Sequence, residues 1–208
     1  IAKTTGQVVE AAREVGGFIS RYISGPLEQG MGIFEDHLKY VRWERQLRLM
    51  QRSEELLRIS GMSAPTRHVP LKIAIPLIQG ATMEDDDELQ DRWAALLVNA
   101  ANADFNGEVR RSYAVILEQL TRLDARILEA MYALPFEQSQ HIGIITAQLP
   151  ALARLAEENE QRYPSPPEMV VLSLSNLARL GCIHPTMLLG GGASYERVNP
   201  TIAGKAFM

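Results

Sequence analysis

The sequence predicts a mainly α protein with a helical front half that contains one long helix, and a C-terminal part that ends in a short β-hairpin. Three observations carry this prediction. Apolar residues recur every three or four positions through most of the chain, as they do on one face of a helix. Helix stop and start signals made of Ser, Gly and Pro separate these periodic segments. Near the end of the sequence, two short extended runs flank a Gly triplet, which is typical of a hairpin turn.

The composition is that of a globular protein from a reducing compartment. Of the 208 residues, 46% are hydrophobic and 22% are charged, so the chain can bury a core and does not belong to the disordered class. The net charge of −4 argues against a general polyanion binder. The single cysteine, Cys182, excludes an internal disulfide. Because we find no secretory leader and no run of about 20 apolar residues, we expect a cytoplasmic protein.

Charge is divided unevenly along the chain. Residues 1–75 hold 11 Lys/Arg and 8 Asp/Glu, whereas residues 76–208 hold 10 and 17. A basic front and an acidic back can attract each other within one chain or between two copies. We therefore expect a protein partner or self-association, and the sequence leaves both open.

Two helices are predicted to open the chain. The first runs from Thr4 to Ser24 and is weakened at Gly16-Gly17. Pro26 suits the first turn of a second, long helix, which runs from Pro26 to Ile59 and stops at Ser60-Gly61. Its apolar residues form two seams for neighbouring elements: Leu27, Met31, Phe34, Leu38 and Val41, then Tyr40, Trp43, Leu47, Met50 and Leu57.

Three shorter helices are predicted to complete the front half. A linker rich in Pro, Ser and Gly, from Gly61 to His68, separates them from the long helix. Pro76 is expected to kink the first of them. They span Pro70–Gln79, Leu89–Ala103 and Ser112–Leu120.

The C-terminal part has a different layout. We predict a helix from Asp124 to Leu134, a looser helical stretch from Ile144 to Arg162, and a helix from Glu168 to Leu180. Asp124 is placed to cap or open the first of these. Two extended runs around Gly190–Gly192 follow. Three helices and a hairpin in this order are a winged-helix-like arrangement.

This change of layout falls near residue 120. The sequence therefore predicts two domains, a helical domain of residues 1–120 and a winged-helix-like domain of residues 121–208.

A row of arginines on the long helix is a candidate partner-binding surface. The row consists of Arg42, Arg45, Arg48 and Arg52, interleaved with Tyr40 and Trp43. Such a ridge can bind phosphates or an acidic protein surface. The alternative is a solvated helix face, which the nearby Glu44, Glu54 and Glu55 favour.

The acidic run Glu84–Glu88 has two interpretations. Carboxylates are ligands for hard cations, but calcium loops also require alternating ligands and a Gly, which this run lacks. Carboxylates beside a helix start are also stabilised by the helix dipole. We favour the second interpretation, in which the run caps the helix that starts near Leu89.

The helix Glu168–Leu180 occupies the place of a DNA reader in a winged helix. Residues 122–208 hold 7 Lys/Arg against 8 Asp/Glu, so they have no surplus of positive charge to neutralise phosphates. Nucleic acid therefore stays possible but disfavoured, and protein packing is the preferred role.

Cys182 and His184 are two potential soft ligands or a nucleophile pair. Zinc requires three or four ligands, and the other histidines are scattered. The triplet Gly190–Gly192 lacks the Lys and the helix start of a phosphate loop, so turn chemistry explains it. We predict no catalytic residue, no cofactor and no metal site.

Glycines among the apolar residues of the first two helices leave one further possibility open. They permit close helix packing or contact with a membrane surface. Four charged residues, Arg13, Arg21, Glu28 and Glu35, favour the packing role. Membrane contact by the N-terminal helices is not excluded by the sequence.

The segment Pro70–Ala103 joins a short apolar helix to the acidic run and a Trp-containing helix. Its most specific residues are the acidic run followed by Leu89, Trp93, Leu96, Leu97 and Asn99. This block resembles the signature block of the abortive-infection alpha family. The later segments Leu120-x-x-Leu-Asp124-Ala-x-Ile-Leu and Leu177-x-x-Leu-Gly181-Cys-Ile are similar to that family as well. Its members are bacterial proteins associated with phage defence, so the resemblance implies a role in defence and carries over no catalytic residues.

Three functions follow as hypotheses. The first is an anti-phage defence protein that binds a phage or host component through its front half or its C-terminal part and changes state, without catalysis. The alternative is a winged-helix DNA-binding transcriptional regulator. The weakest is a metal-dependent enzyme at the acidic run.

Overall fold

A computed structural model describes residues 5–23, 43–157 and 162–208 of the chain. The chain folds into two compact units, unit 1 (Ile1–Glu118) and unit 2 (Gln119–Met208). Helices predominate, together with one small antiparallel sheet of four strands, in agreement with the mainly α prediction. The assignment of residues 1–120 and 121–208 to separate domains stays a prediction.

Unit 1 is built from five helices within the described residues. They are α1 (Thr5–Tyr22), α2 (Trp43–Ile59), α3 (Leu71–Met83), α4 (Asp87–Ala100) and α5 (Arg111–Glu118). The α4 helix packs against α2, α3 and α5, which places it at the centre of the unit. The backbone amide of Val69 donates to the carbonyl of Tyr22 (2.7 Å), which ties the end of α1 to the start of α3. Among the described residues, no helix is long and apolar enough to cross a membrane.

The core of unit 1 is centred on Trp93 of α4. Its side chain is buried, as are those of Leu77 on α3, Leu49 on α2 and Leu97 on α4. The ring of Trp93 lies directly against Gly80 of α3, at a place where any Cβ atom would collide with it. Glycine at this position therefore sets how closely α3 and α4 approach.

The helix predictions for the front half are largely confirmed. The first helix continues through Gly16 and Gly17 without a break. The long helix is confirmed from Trp43 to Ile59, and its predicted part before residue 43, with the seam from Leu27 to Val41, lies outside the described residues. The third helix contains Pro76 and extends to Met83, four residues beyond the predicted end.

Unit 2 has four helices and the sheet within the described residues. The helices are α6 (Arg122–Tyr132), α7 (Phe136–Ile142), α8 (Glu168–Arg179) and α9 (Ile202–Phe207). The strands are β1 (Ile144–Ile145), β2 (Arg154–Leu155), β3 (Ile183–Met187) and β4 (Ala193–Pro200). The predicted hairpin is confirmed as β3 and β4.

The sheet has the strand order β2-β1-β4-β3 and is antiparallel throughout. Ile144 pairs with Leu155 on one side and with Val198 on the other. The hairpin register places Ile183 opposite Pro200, and a bulge between Pro185 and Thr186 shifts the pairing towards the turn. The strand β1 therefore joins the hairpin to the rest of the unit.

The looser helical stretch predicted from Ile144 to Arg162 is wrong. Helix α7 ends at Ile142, because Gly143 adopts a φ of 89°, a conformation that favours glycine and breaks the helical backbone. The chain then forms β1, a turn and β2. Helix α7 begins at Phe136, directly after Pro135, which is its N-cap residue.

Helix α6 begins with a capping box. The hydroxyl of Thr121 accepts a hydrogen bond from the amide of Asp124 (3.2 Å), and the Asp124 carboxylate accepts one from the amide of Thr121 (2.8 Å). This reciprocal pair satisfies two amides that have no partner inside the helix. The prediction that Asp124 caps or opens this helix is confirmed, with Thr121 as the N-cap residue.

Replacing the cap residue should weaken unit 2. We expect Thr121→Ala to lower the free energy of unfolding by about 1 kcal/mol, because the amide of Asp124 loses its acceptor. Urea unfolding followed by circular dichroism measures this change. As a control, Thr121→Ser keeps the hydroxyl and should remain within about 0.5 kcal/mol of the wild type. Equal losses in the two variants would show that the hydroxyl does not cap the helix.

The Tyr132 hydroxyl links the start of the hairpin to the start of helix α9. It donates a hydrogen bond to the carbonyl of Cys182 (2.6 Å) and accepts one from the amide of Thr201 (3.1 Å). Thr201 in turn caps α9, since its hydroxyl accepts from the amide of Gly204 (2.9 Å). Burial raises the pKa of Tyr132 to about 12, so the hydroxyl keeps its proton for this contact. Helix α9 is thereby held against the start of the hairpin.

Candidate partner-binding surface

The arginine row of the long helix lies against helix α4. Arg45 Nη1 is 2.5 Å from Asp87 Oδ1, and the same guanidinium donates to the carbonyl of Asp85. Arg48 lies 3.2 Å from the Asp87 carboxylate and 2.9 Å from that of Asp91. Arg52 Nε lies 3.1 Å from the other oxygen of Asp91. Three of the predicted arginines thus form ion pairs inside unit 1.

Arg48 also contacts a buried glutamine, Gln90. Gln90 of α4 donates from Nε2 to the carbonyls of Arg45 (3.0 Å) and Ala81 (2.8 Å), and its Oε1 accepts from Arg48 (3.0 Å). One fully buried amide therefore links α2, α3 and α4. A buried amide is tolerated when its hydrogen bonds are made, and here both of its ends are paired.

The other predicted partner-binding residues fall at or beyond the edge of the described chain. Tyr40 and Arg42 lie outside the described residues, and Trp43 is placed at the start of α2 without a described side chain. Partner binding by this row stays a prediction. Because Arg45, Arg48 and Arg52 already hold α2 against α4, a partner at this place would have to compete with internal contacts.

The acidic run opens helix α4, as the capping interpretation predicted. The Asp86 side chain is the N-cap and accepts from the amides of Glu88 (2.8 Å) and Leu89 (3.1 Å). Glu84 accepts from the amide of Asp86 (3.0 Å). Across the described ranges, no group of three or more His, Cys, Asp or Glu residues is arranged to hold a metal ion.

The ion pair at Asp87 should make unit 1 sensitive to acid. The hydrogen bond from Arg45, with the charge of Arg48 beside it, lowers the pKa of Asp87. A carboxyl whose pKa is lowered by folding stabilises the protein above its unfolded pKa, near 4, and this contribution is lost as the pH falls through the folded value. We therefore expect wild type to exceed Asp87→Asn in stability at pH 7, and the difference to shrink below about pH 4.

Urea midpoints measured from pH 7 to pH 3 check this expectation. The control is Asp104→Asn, a change at an exposed carboxylate in the loop after α4. A difference between wild type and Asp87→Asn that stays constant through the acid range would contradict the role given to the ion pair.

Cys182 is buried at the start of the hairpin. Burial raises the pKa of its thiol to about 11, so it carries a proton at neutral pH. His184, two residues further on, is exposed on β3 opposite Asn199. The thiol therefore lacks the lowered pKa that activates a nucleophilic cysteine.

Helix α8 presents an apolar outer face. Its inner face buries Val170, Leu174 and Leu177 in unit 2, whereas Met169 and Leu172 are 64% and 57% exposed. We call these two residues the α8 face. The outward surface of α8 therefore carries large apolar side chains near the start of the helix.

The one arginine of α8 is already engaged. Arg179 donates to the side-chain oxygen of Asn176 (2.6 Å). Asn176 donates to the Asp124 carboxylate (3.0 Å) and to the carbonyl of Gln119 (2.9 Å). These contacts brace α8 against the capping box of α6, and they leave the outward surface of the helix without a cluster of positive charge.

The turn of the hairpin is also apolar. Met187, Leu188 and Leu189 are all exposed where β3 ends. The prediction that Gly190–Gly192 forms a turn is confirmed, since Gly191 has a φ of 87°. The Gly triplet predicted this turn but did not reveal that the apolar run beside it is exposed, although Met187, Leu188 and Leu189 directly precede the triplet in the sequence.

Comparison with protein families gives one match. The family described as abortive infection alpha matches residues 44–201, which is more than half of the chain. The chain belongs to the abortive infection alpha family. The resemblance noted from the sequence is confirmed, and the match extends from α2 through β4 into both units. Comparisons with the curated proteins and with the solved structures found no match.

The block that carries the family resemblance is composed of a cap and a core. Leu89, Trp93, Leu96 and Leu97 are buried, and Asp86 caps the helix that bears them. In this abortive infection alpha protein, the signature residues therefore specify how unit 1 folds.

Proposed function

We propose that this abortive infection alpha protein is a bacterial phage-defence protein that acts by binding a protein partner and not by catalysis. The family match over residues 44–201 is the observation that carries the proposal. Its proposed place of action is the cytoplasm, and its binding surface is the α8 face.

A winged-helix arrangement of unit 2 is part of the proposal. Support comes from the hairpin that follows α8 and from the sheet order, in which β4 lies between β1 and β3. In winged-helix proteins the helix before the hairpin is the reading helix. Here that helix presents Met169 and Leu172 outward, and Met is enriched at the centre of protein interfaces. We infer that the position used elsewhere to read DNA serves to dock a protein.

The charge balance of unit 2 argues against the DNA-binding alternative. Affinity for DNA depends on Lys and Arg side chains that neutralise phosphates. Unit 2 has 7 of them against 8 Asp and Glu, and Arg179 is engaged with Asn176. A regulator of this composition would have to bind DNA without the electrostatic contribution that normally dominates.

Plaque counts test the proposed role. A bacterial host that expresses the gene should form fewer plaques than the same host with an empty vector, for at least one phage of a broad panel. The same lysates and host are used in both arms, so the gene is the one variable. Equal counts for every phage would contradict the proposal.

A further inference from the structure

The hairpin tip, residues Met187–Gly192, is more apolar than its turn requires. Two backbone hydrogen bonds close the turn. The amide of Leu188 donates to the carbonyl of Gly192 (2.8 Å), and the amide of Gly191 donates to the carbonyl of Leu188 (2.9 Å). Turns of this kind ordinarily use small polar residues. Yet Met187, Leu188 and Leu189 are 69%, 53% and 112% exposed. Three consecutive exposed apolar residues are avoided in soluble proteins unless they have a function.

The surroundings of the tip are free of charge. From Pro185 to Tyr195 the sequence contains no Asp, Glu, Lys or Arg. Thr186 and Ser194 face each other in the register behind the tip, and Tyr195 follows on β4. An apolar end backed by hydroxyl groups and a tyrosine matches the gradient from hydrocarbon to headgroup at a bilayer surface, where tyrosine is enriched.

The convex shape of the tip favours lipid over a protein occupant. The tip has six residues, its three large side chains are exposed, and Leu189 is fully exposed. A second copy or another protein would need a cavity that fits the tip and further contacts around that cavity. A bilayer needs no such cavity, because lipid rearranges around a small convex apolar projection.

We propose that Met187, Leu188 and Leu189 insert into the interface of a lipid bilayer. The tip enters the boundary between headgroups and acyl chains, with Tyr195 at headgroup depth. Because the buried apolar area is small, the contact is weak and reversible, and lipid in large excess saturates it. This inference does not rest on the role in phage defence, since it concerns the purified chain and lipid alone.

Sedimentation with phosphatidylcholine vesicles tests the inference. The full chain should sediment with the vesicles, and Leu188→Glu/Leu189→Glu should lower the bound fraction by roughly tenfold or more, because carboxylates are excluded from hydrocarbon. The control is Leu152→Glu/Ile202→Glu, which adds the same charge at two other exposed apolar residues of unit 2 and should bind like wild type. Circular dichroism establishes that both variants are folded.

A second variant keeps the tip apolar. The emission of Leu189→Trp should shift to shorter wavelength when vesicles are added, after subtraction of the wild-type signal from Trp43 and Trp93. The inference is overturned if the charged tip variant binds as well as wild type, or if wild type stays in the supernatant and the Leu189→Trp emission does not move. It is also overturned if binding requires phosphatidylserine, or if the chain without lipid is a dimer that the tip variant dissociates.

Discussion

Gly80→Ala should lower the free energy of unfolding of unit 1 by about 3 kcal/mol, near the upper end of what overpacking a core costs. A Cβ at this position of α3 would lie 2.6 and 2.8 Å from the Cζ2 and Cζ3 atoms of Trp93, and closer still to Cη2. The ring is 1% exposed and is enclosed by the core of unit 1. It cannot move aside, so α3 and α4 must separate and lose part of their packing.

Urea unfolding followed by tryptophan fluorescence measures this loss, because both tryptophans belong to unit 1. Gly17→Ala is the matched control. Gly17 lies within α1 with nothing near a Cβ, so alanine there should stabilise the protein by about 0.5–1 kcal/mol through better helix propensity. A Gly80→Ala variant as stable as wild type would show that the close approach of α3 to Trp93 is not a constraint on the fold.

Gly204→Ala should destabilise unit 2 to a similar extent, by about 3 kcal/mol. A Cβ on this residue would lie 2.5 Å from the carbonyl oxygen of Cys182 and 2.7 Å from Cζ of Tyr132, and closer to the Tyr132 hydroxyl. The same hydroxyl joins the chain before β3 to Thr201 at the start of α9. The substitution therefore breaks the contact that fastens α9 to the hairpin.

Circular dichroism during urea unfolding measures this effect, with Gly190→Ala as the control in open space. A double variant adds a sharper test. Removing the hydroxyl in Tyr132→Phe opens part of the space that the new methyl needs, so the double variant should lose less stability than the sum of the two single variants. Additive losses would show that the tyrosine and the glycine do not share this contact.

Local sequence signals located most of the helices and the hairpin, but they missed α7, α9 and the strands β1 and β2. The period of the apolar residues and the caps identified the other helices, with errors of a few residues at their ends. The strand β1 has two residues, too few for an alternating pattern, and it pairs with Val198 far along the chain. Because its conformation depends on that distant partner, local periodicity assigned Ile144–Arg162 to a helix. Gly143 was the available signal, since a glycine after a helix commonly ends it.

The candidate surfaces were only partly predicted, because the burial of a helix face also depends on residues far away in the sequence. Helical spacing placed Arg45, Arg48 and Arg52 on one face of α2, but spacing cannot say what covers a face. Asp87 and Asp91, four residues apart on α4, present a complementary row that could have suggested the pairing. The α8 face and the hairpin tip were missed because exposure of apolar residues depends on how the helix and the hairpin pack in unit 2.

Plaque counts with Leu172→Glu most directly test defence by binding through the α8 face. The control is Leu152→Glu, because Leu152 is 52% exposed in the same unit and receives the same charge. Both variants should match wild type in urea midpoint. For a phage that the wild-type gene restricts, Leu172→Glu should restore plaque numbers by roughly tenfold or more, as expected when a charge enters the centre of an interface, while Leu152→Glu should restrict plaques like wild type. Full restriction by a folded Leu172→Glu protein would contradict the account.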